Sequence, residues 1–259
     1  MNNRVKAKTM KPIFSTAYCW KTLAASAVSI TVASTGTAIA QEKWEYTGFL
    51  YLWGSALGGE TTSGDSIDVS FSDLVDKLDF GLMGTIEANK GSWSLFADVM
   101  YLNLSDDDDA SVGPGISASA DADIDGLVFT GGVGYSLVDN NTSKLHGLGG
   151  LRHLNMDTTV NIDGPSGSQR INDTLSNWDA IVGIKGVHTL ADRWSLLYYA
   201  DVGAGDSDLT WQAAVAIDFE INKWSLNFGY RHLEWDIDNS PNISNISFSG
   251  PFIGARYRF

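Results

Sequence analysis

The sequence predicts an all-β chain that closes into a transmembrane antiparallel up-and-down β-barrel, and three observations carry that prediction. Apolar residues recur at every second position in about ten short segments, as expected of strands whose two faces meet different surroundings. The connections between these segments alternate short and long, the pattern of tight turns at one membrane face and longer excursions at the other. The chain stops on an alternating strand in which Ile253, Ala255, Tyr257 and Phe259 share one face and Gly254, Arg256 and Arg258 the other. That division suits lipid on one side and an enclosed polar space on the other.

The first forty residues carry Arg4, Lys6, Lys8, Lys11 and Lys21 with no acid, then an apolar, small-residue run over 23–33, then Ala38, Ile39 and Ala40 before Gln41. This predicts a signal peptide over 1–40, cut after Ala40, and a barrel domain over 41–259. Cys19 precedes the apolar run between Tyr18 and Trp20, so the exported chain holds no cysteine and offers neither a disulfide nor a thiolate metal site. Loss of the five leading bases leaves 12 Lys and Arg against 31 acids, a net charge of −19. Such a surface repels phosphate backbones, so nucleic acid is not an expected partner. Beyond residue 40 nothing approaches the roughly 20 apolar residues of a membrane helix.

The first strand, 44–53, runs from Trp44 to the level of Trp53. The connection over 55–79 follows, where Ser72 is placed to cap a short helix with Leu74, Val75 and Leu78 on its apolar face. Residues 66–71 have the rhythm of an extra hairpin arm, which keeps eight and twelve strands as alternatives to ten. A strand over 80–88 and a short turn lead to the clearest segment, 93–101, in which Trp93, Leu95, Ala97, Val99 and Tyr101 alternate with Ser94, Phe96, Asp98 and Met100. The long connection 105–125 contains four consecutive aspartates from Asp106. Residues 121–126 match the first half of a calcium loop, but its twelfth position is Gly132 rather than a bidentate Glu, so no calcium site is expected. Further strands are predicted at 127–137, 145–151, 178–184, 194–202, 211–219, 224–230 and 253–259. Short turns precede the strands that begin at 145, 194 and 224.

The tryptophans sort by strand end. Trp93, Trp194 and Trp224 follow short turns and Trp44 opens the first strand, whereas Trp53, Trp178 and Trp211 lie beside long connections. Two girdles at the lipid headgroups account for this, because indole combines an apolar body with one donor that prefers the wet boundary. Trp53 has the opposite parity to Trp44, and Trp235 falls on the inward parity. The face opposite the girdles holds Glu87, Asp98, Asp179, Asp201 and Asp218 as acids and Arg152, Lys185, Arg231, Arg256 and Arg258 as bases. Enclosed charges must pair or lose several kcal/mol each to desolvation. The set therefore reads either as a structural ion-pair ladder or as the lining of a narrow pore. Twenty of the 31 acids fall in the long connections, opposed by Lys77 and Arg170, a mouth that attracts cations over about 8 Å. His146, His153, His188 and His232 lie on separate segments with no His-x-Ser or Asp-x-His pair, so neither an enzyme, a metal site nor a cofactor is expected.

Several patches resemble an uncharacterised family of bacterial outer-membrane β-barrel proteins, small and porin-like. They are Phe71-Ser72-Asp73-Leu74 before Leu78-Asp79-Phe80-Gly81-Leu82-Met83-Gly84, Trp178-Asp179 leading to Val182-Gly183-Ile184-Lys185, Gly205-Asp206-Ser207-Asp208-Leu209-Thr210-Trp211-Gln212, Gly229-Tyr230-Arg231, and the strand after Gly250-Pro251. Lys185 stands where the group usually has Arg, and His153 where it often has an aromatic. The resemblance implies an outer-membrane barrel and brings no activity with it. Tyr257 and the terminal Phe259 resemble the signal read by the barrel assembly machinery, so that machinery, outer-membrane lipid and lipopolysaccharide are the implied partners. A narrow passive channel for small solutes or cations is the expected function. The alternative is a structural or surface-interaction barrel whose acidic loops bind lipopolysaccharide, ions or another surface.

Overall fold

The computed structural model describes residues 43–259 apart from 63, 65, 71, 74–77, 114–115, 165–166 and 238–242. The signal peptide expected over 1–40 lies outside the described residues. Twelve strands are described: β1 (Glu45–Trp53), β2 (Ala56–Thr61), β3 (Ser66–Val69), β4 (Leu78–Lys90), β5 (Trp93–Gly113), β6 (Ile116–Asp139), β7 (Ser143–Gly164), β8 (Gly167–Ala191), β9 (Trp194–Gly205), β10 (Leu209–Ile221), β11 (Trp224–Asp236) and β12 (Ile243–Arg258). Ten of them, β1 and β4 to β12, pair antiparallel with their neighbours, and β1 closes on β12 from Thr47↔Arg258 to Trp53↔Phe252. The predicted ten-strand closed barrel is the fold. The extra hairpin arm is also present, since β3 pairs with β2 and β2 with the outer half of β12.

β2 continues the line of β1 after a break at Gly54 and Ser55, with Gly54 N donating to Pro251 O at 2.8 Å. Gly250 sits opposite the break, where a Cβ would overlap Gly54 O, so the close approach requires glycine. Ser72 and Asp73 have helical backbone, and Ser70 Oγ accepts the Asp73 N–H at 3.3 Å. The helix expected beyond Ser72 falls on residues outside those described. Leu78, assigned to its apolar face, is instead the first residue of β4. The short turns follow their chemistry: Gly91 (φ 57°) and Asn222 (φ 58°) take the left-handed backbone that tight hairpins demand.

The largest departure concerns the connections expected over 105–125 and 157–176. Their described residues are strand, not loop. β5 and β6 stay paired through Asp107↔Asp121 to Gly113↔Ile116, and β7 and β8 through Asp157↔Thr174 to Gly164↔Gly167. Residues 121–126, the half-match to a calcium loop, are rungs of β6. These strands run for 21 to 25 residues, whereas about 9–11 suffice to cross the hydrocarbon. Four strands therefore rise beyond the membrane as one continuous wall, while β9 and β10 turn back at once over Asp206, Ser207 and Asp208.

The outer surface is apolar and uncovered. Leu52 is 74% exposed, Ile86 67%, Phe228 64% and Val182 63%, a contiguous band that only lipid can cover in this architecture. Trp44, Trp93, Trp194 and Trp224 are exposed at the short-turn end, and Trp178 is exposed at the opposite end. Lys90 lies over the Trp44 ring and Lys223 over Tyr257, cations placed at the headgroup level. Trp53 corrects the girdle assignment: it is buried inside, its Nε1 donating to Gly250 O at 3.0 Å. Among the described residues no helix is long and apolar enough to cross a membrane, which says nothing of strands.

Candidate functional site: the barrel interior

Inward positions recur every second residue, so each strand contributes a column of side chains to the interior. Nearest the short turns, Arg256 Nη2 binds Asp218 Oδ2 at 2.9 Å and Ser225 Oγ at 3.3 Å. Arg258 reaches Glu220 at 3.7 Å, with both side chains about half exposed. One level further in, Lys185 Nζ contacts Glu87 Oε2 at 2.9 Å and Ser94 Oγ at 2.7 Å, while Asn89 Nδ2 donates to Glu87.

The waist is a single hydrogen-bonded network. Arg152 donates to Asp201 (2.6 Å), Thr210 (3.0 Å), Thr130 (3.3 Å) and Gln212 Oε1 (3.2 Å). Arg231 donates to Tyr51 Oη (2.7 Å), Asp98 Oδ1 (3.1 Å) and the same Gln212 Oε1 (2.8 Å). Thr85 and Tyr51 each donate to Asp98 as well. Arg152 and Asp201 have fully buried side chains, so both charges depend on these partners.

Just outward of the waist the chemistry changes. Following Asp98, Thr130 and Arg152 along their strands by one inward step gives Met100, Val128 and Leu154; following Arg231 gives Leu233 and then Trp235; following Tyr51 gives Trp53. These residues form a buried apolar cluster with Ile237 and Ile246, and Phe248 and Leu57 pack against it. Leu233 and Trp235 are wholly buried. The arginines support the layer from below, Arg231 lying 5.0 Å from the Trp53 ring centre and Arg152 5.9 Å from that of Trp235. Below Arg231 and Asp98, toward Lys185 and Glu87, remains a cavity of about 180 Å³ walled partly by Phe49, Phe96, Tyr199 and Phe252.

The ten charged residues selected by parity thus do not pair five with five. Arg152–Asp201, Lys185–Glu87, Arg231–Asp98 and Arg256–Asp218 are pairs. Among the described residues no cation pairs with Asp179; it accepts the Ser207 N–H at 2.9 Å and the Ser207 hydroxyl at 3.0 Å, closing the β9–β10 turn. Arg258 takes Glu220, which the sequence reading left out. Tyr51, Thr210 and Gln212 were missed because they carry no charge, although all three lie on inward parity. Tyr257 and Phe259 are on the lipid side, their rings edge to face at 5.1 Å and Tyr257 also packed on Trp224.

On the outer wall the histidines are not isolated. The His153 ring stacks on Trp178 at 4.2 Å. His232 bonds to Ser249 Oγ and to Glu234, a cluster no sequence spacing announced because Ser249 belongs to another strand. Among the described residues no group of three or more His, Cys, Asp or Glu is placed to hold a metal ion.

No family model and no curated protein sequence matches the chain. Solved structures do. The chain is similar to the translocator domain of the autotransporter NalP from Neisseria meningitidis, at 14% identity and a TM-score of 0.52 over 83% of this chain and 88% of that one. It is similar at a lower level to the outer membrane protease OmpT from Escherichia coli (12% identity, TM-score 0.43, 87% and 99% covered) and to Ail, the attachment invasion locus protein of Yersinia pestis (12%, 0.39, 84% and 99%). At these identities the likeness speaks for the fold alone, and that fold is an outer-membrane β-barrel.

Proposed function

We propose that the protein is a closed surface-interaction barrel, with its interior serving as a structural core and the tall β5–β8 wall as its working part. One observation carries this reading: the layer of Leu154, Leu233, Trp235 and Trp53 crosses the lumen on top of two arginines already committed to hydrogen bonds. A solute path would have to displace wholly buried aromatic and aliphatic side chains. The wall rises on the same side and brings two acids into register, Asp125 opposite Asp157. Asp125 accepts hydrogen bonds from Tyr101 and Asn103, and Asp157 from Thr174 and Asn155. Such a face suits cations, including the divalent ions that bridge lipopolysaccharide, at the implied outer-membrane location.

The test is single-channel recording in planar bilayers, alongside calcium and lipopolysaccharide binding to the same preparation. The expected outcome is electrical silence of folded protein with binding that is lost when Asp125→Asn and Asp157→Asn are combined. Stable, cation-biased opening would instead establish the second reading, a narrow small-solute passage of the porin-like kind. The cavity edged by Asp98, Arg231, Lys185 and Glu87 favours that reading as a partial polar path.

A further inference from the structure

The side chains of β11 alternate: Arg231, Leu233 and Trp235 point into the barrel, so His232 and Glu234 stand on the lipid side. Ser249 of β12 is the register partner of His232. Its Oγ lies 2.5 Å from His232 Nδ1, and His232 Nε2 lies 2.9 Å from Glu234 Oε2. Glu234 is held in turn by Asn245, whose Nδ2 donates to Oε1 at 2.9 Å. Trp211 of β10, opposite Glu234, packs its ring on the imidazole at 4.4 Å. A carboxylate can only accept, so Glu234 keeps the imidazole proton on Nε2 and leaves Nδ1 as the acceptor for the Ser249 hydroxyl. The side chains of His232 and Glu234 remain about a quarter exposed, and Ser249 is partly exposed as well.

We propose that Ser249, His232 and Glu234 form a hydrolytic triad on the outside of the barrel, acting on acyl esters of outer-leaflet lipids. The roles follow the general logic of nucleophile, base and orienting acid. The place selects the substrate. On the same face of β11 and β12, one and two steps toward the short turns, come Tyr230, Phe228, Pro251 and Ile253, all exposed, a surface for acyl chains. In the other direction come Ser247, Asn245 and Asp236, which belong to water. The triad stands between them beside Trp211, at the headgroup depth where a lipid's ester carbonyls lie.

In the reaction, Ser249 Oγ attacks the ester carbonyl carbon while its proton passes to His232 Nδ1, the resulting imidazolium being held by Glu234. The carbon–oxygen bond to the lipid alcohol breaks, and that alkoxide takes the proton from His232. Water then attacks the acyl-serine, giving its proton to His232, which returns it to Ser249. One ester and one water become one fatty acid and one alcohol, with no redox step. None of this depends on whether the lumen conducts.

The experiment uses full-length protein purified from outer membranes, presented with phosphatidylethanolamine vesicles or with lipopolysaccharide and assayed by mass spectrometry for released fatty acid. A long-chain alkyl sulfonyl fluoride serves as covalent probe. Release from either lipid and an adduct on Ser249 are expected, and the lipid that reacts identifies the source of the ester. Ser249→Ala and His232→Ala should each lower release by about a thousandfold or more and abolish the adduct, with the heat-modifiable migration of the folded barrel retained. Glu234→Gln should lower both while keeping the fold. The proposal is overturned if Ser249→Ala releases fatty acid like the parent, or if folded parent protein gives neither release nor adduct with both lipids.

Discussion

Arg152 and Arg231 approach one acceptor, Gln212 Oε1, from different strands, so the waist of the barrel is set by single side chains. Arg152 is the more dependent of the two, because its guanidinium and the Asp201 carboxylate have no solvent exposure. Removing one buried partner leaves the other charge desolvated and alone, which costs about 3–5 kcal/mol. Arg152→Ala should lose that much stability in urea unfolding from lipid vesicles. Arg152→Met combined with Asp201→Leu should recover most of it, since an apolar replacement of the whole pair leaves no orphan charge. An equal loss in the single and double variants would mean that Arg152 matters through packing rather than charge. Parity alone located both arginines, because a long cation on the face opposite the girdle has one place to go. The same reasoning counted Asp179 among five acids balanced by five bases, whereas its carboxylate is satisfied by the Ser207 N–H and hydroxyl. A hydroxyl donor leaves no charge signature in a sequence.

The glycine pair Gly132 and Gly150 shows what a strand-level requirement looks like. They are register partners on β6 and β7, and a Cβ on Gly150 would sit 2.8 Å from Gly132 Cα and overlap Gly131 O. Both face inward, so the two strands meet backbone to backbone where side chains would otherwise hold them apart. Gly150→Val should therefore reduce the yield of heat-modifiable folded barrel or lower its stability by at least about 1–3 kcal/mol, whereas Val133→Ala on the exposed outer face should change little. The wall formed by β5 to β8 was illegible for a different reason. Runs of Asp, Ser and Gly depress strand propensity, and the rhythm of apolar residues that marked 93–101 stops near Leu104. Cross-strand pairing carries the hairpin onward without that rhythm, as the continuous rungs from Asn103↔Asp125 to Ser111↔Ser117 record. Because Met100, Val128 and Leu154 lie below those rungs, cutting the hairpin at Asn103↔Asp125 should leave the thermal midpoint within a few degrees of the parent.

For the molecule as a whole, membrane and core impose separate demands that share one alternation. The lipid side was legible in nearly every strand because hydrocarbon accepts only apolar groups and the headgroup boundary collects tryptophan. The interior changes with depth, its ion pairs lying at and below the waist and an apolar cluster just above it, so Trp53 and Trp235 had the parity of misplaced girdle residues. The apolar layer has no counterpart in a wide water-filled barrel, where inward positions stay polar throughout. Its role as the barrier can be isolated, because the ten-strand ladder closes through β1 and β12 without it. Leu233→Gly with Trp235→Gly should keep the closed sheet, at a cost of several kcal/mol for two lost core side chains, while opening space above Arg152 and Arg231. Proteoliposomes carrying that variant should swell in small-sugar solutions when the parent does not, and planar bilayers should register openings. Adding Arg231→Ala should enlarge those openings, since its guanidinium forms part of the floor beneath Trp53. Impermeable vesicles from folded double-variant protein would move the barrier down to the Arg152–Asp201 and Arg231–Asp98 pairs, making the ionic waist rather than the aromatic layer the element that separates the two sides.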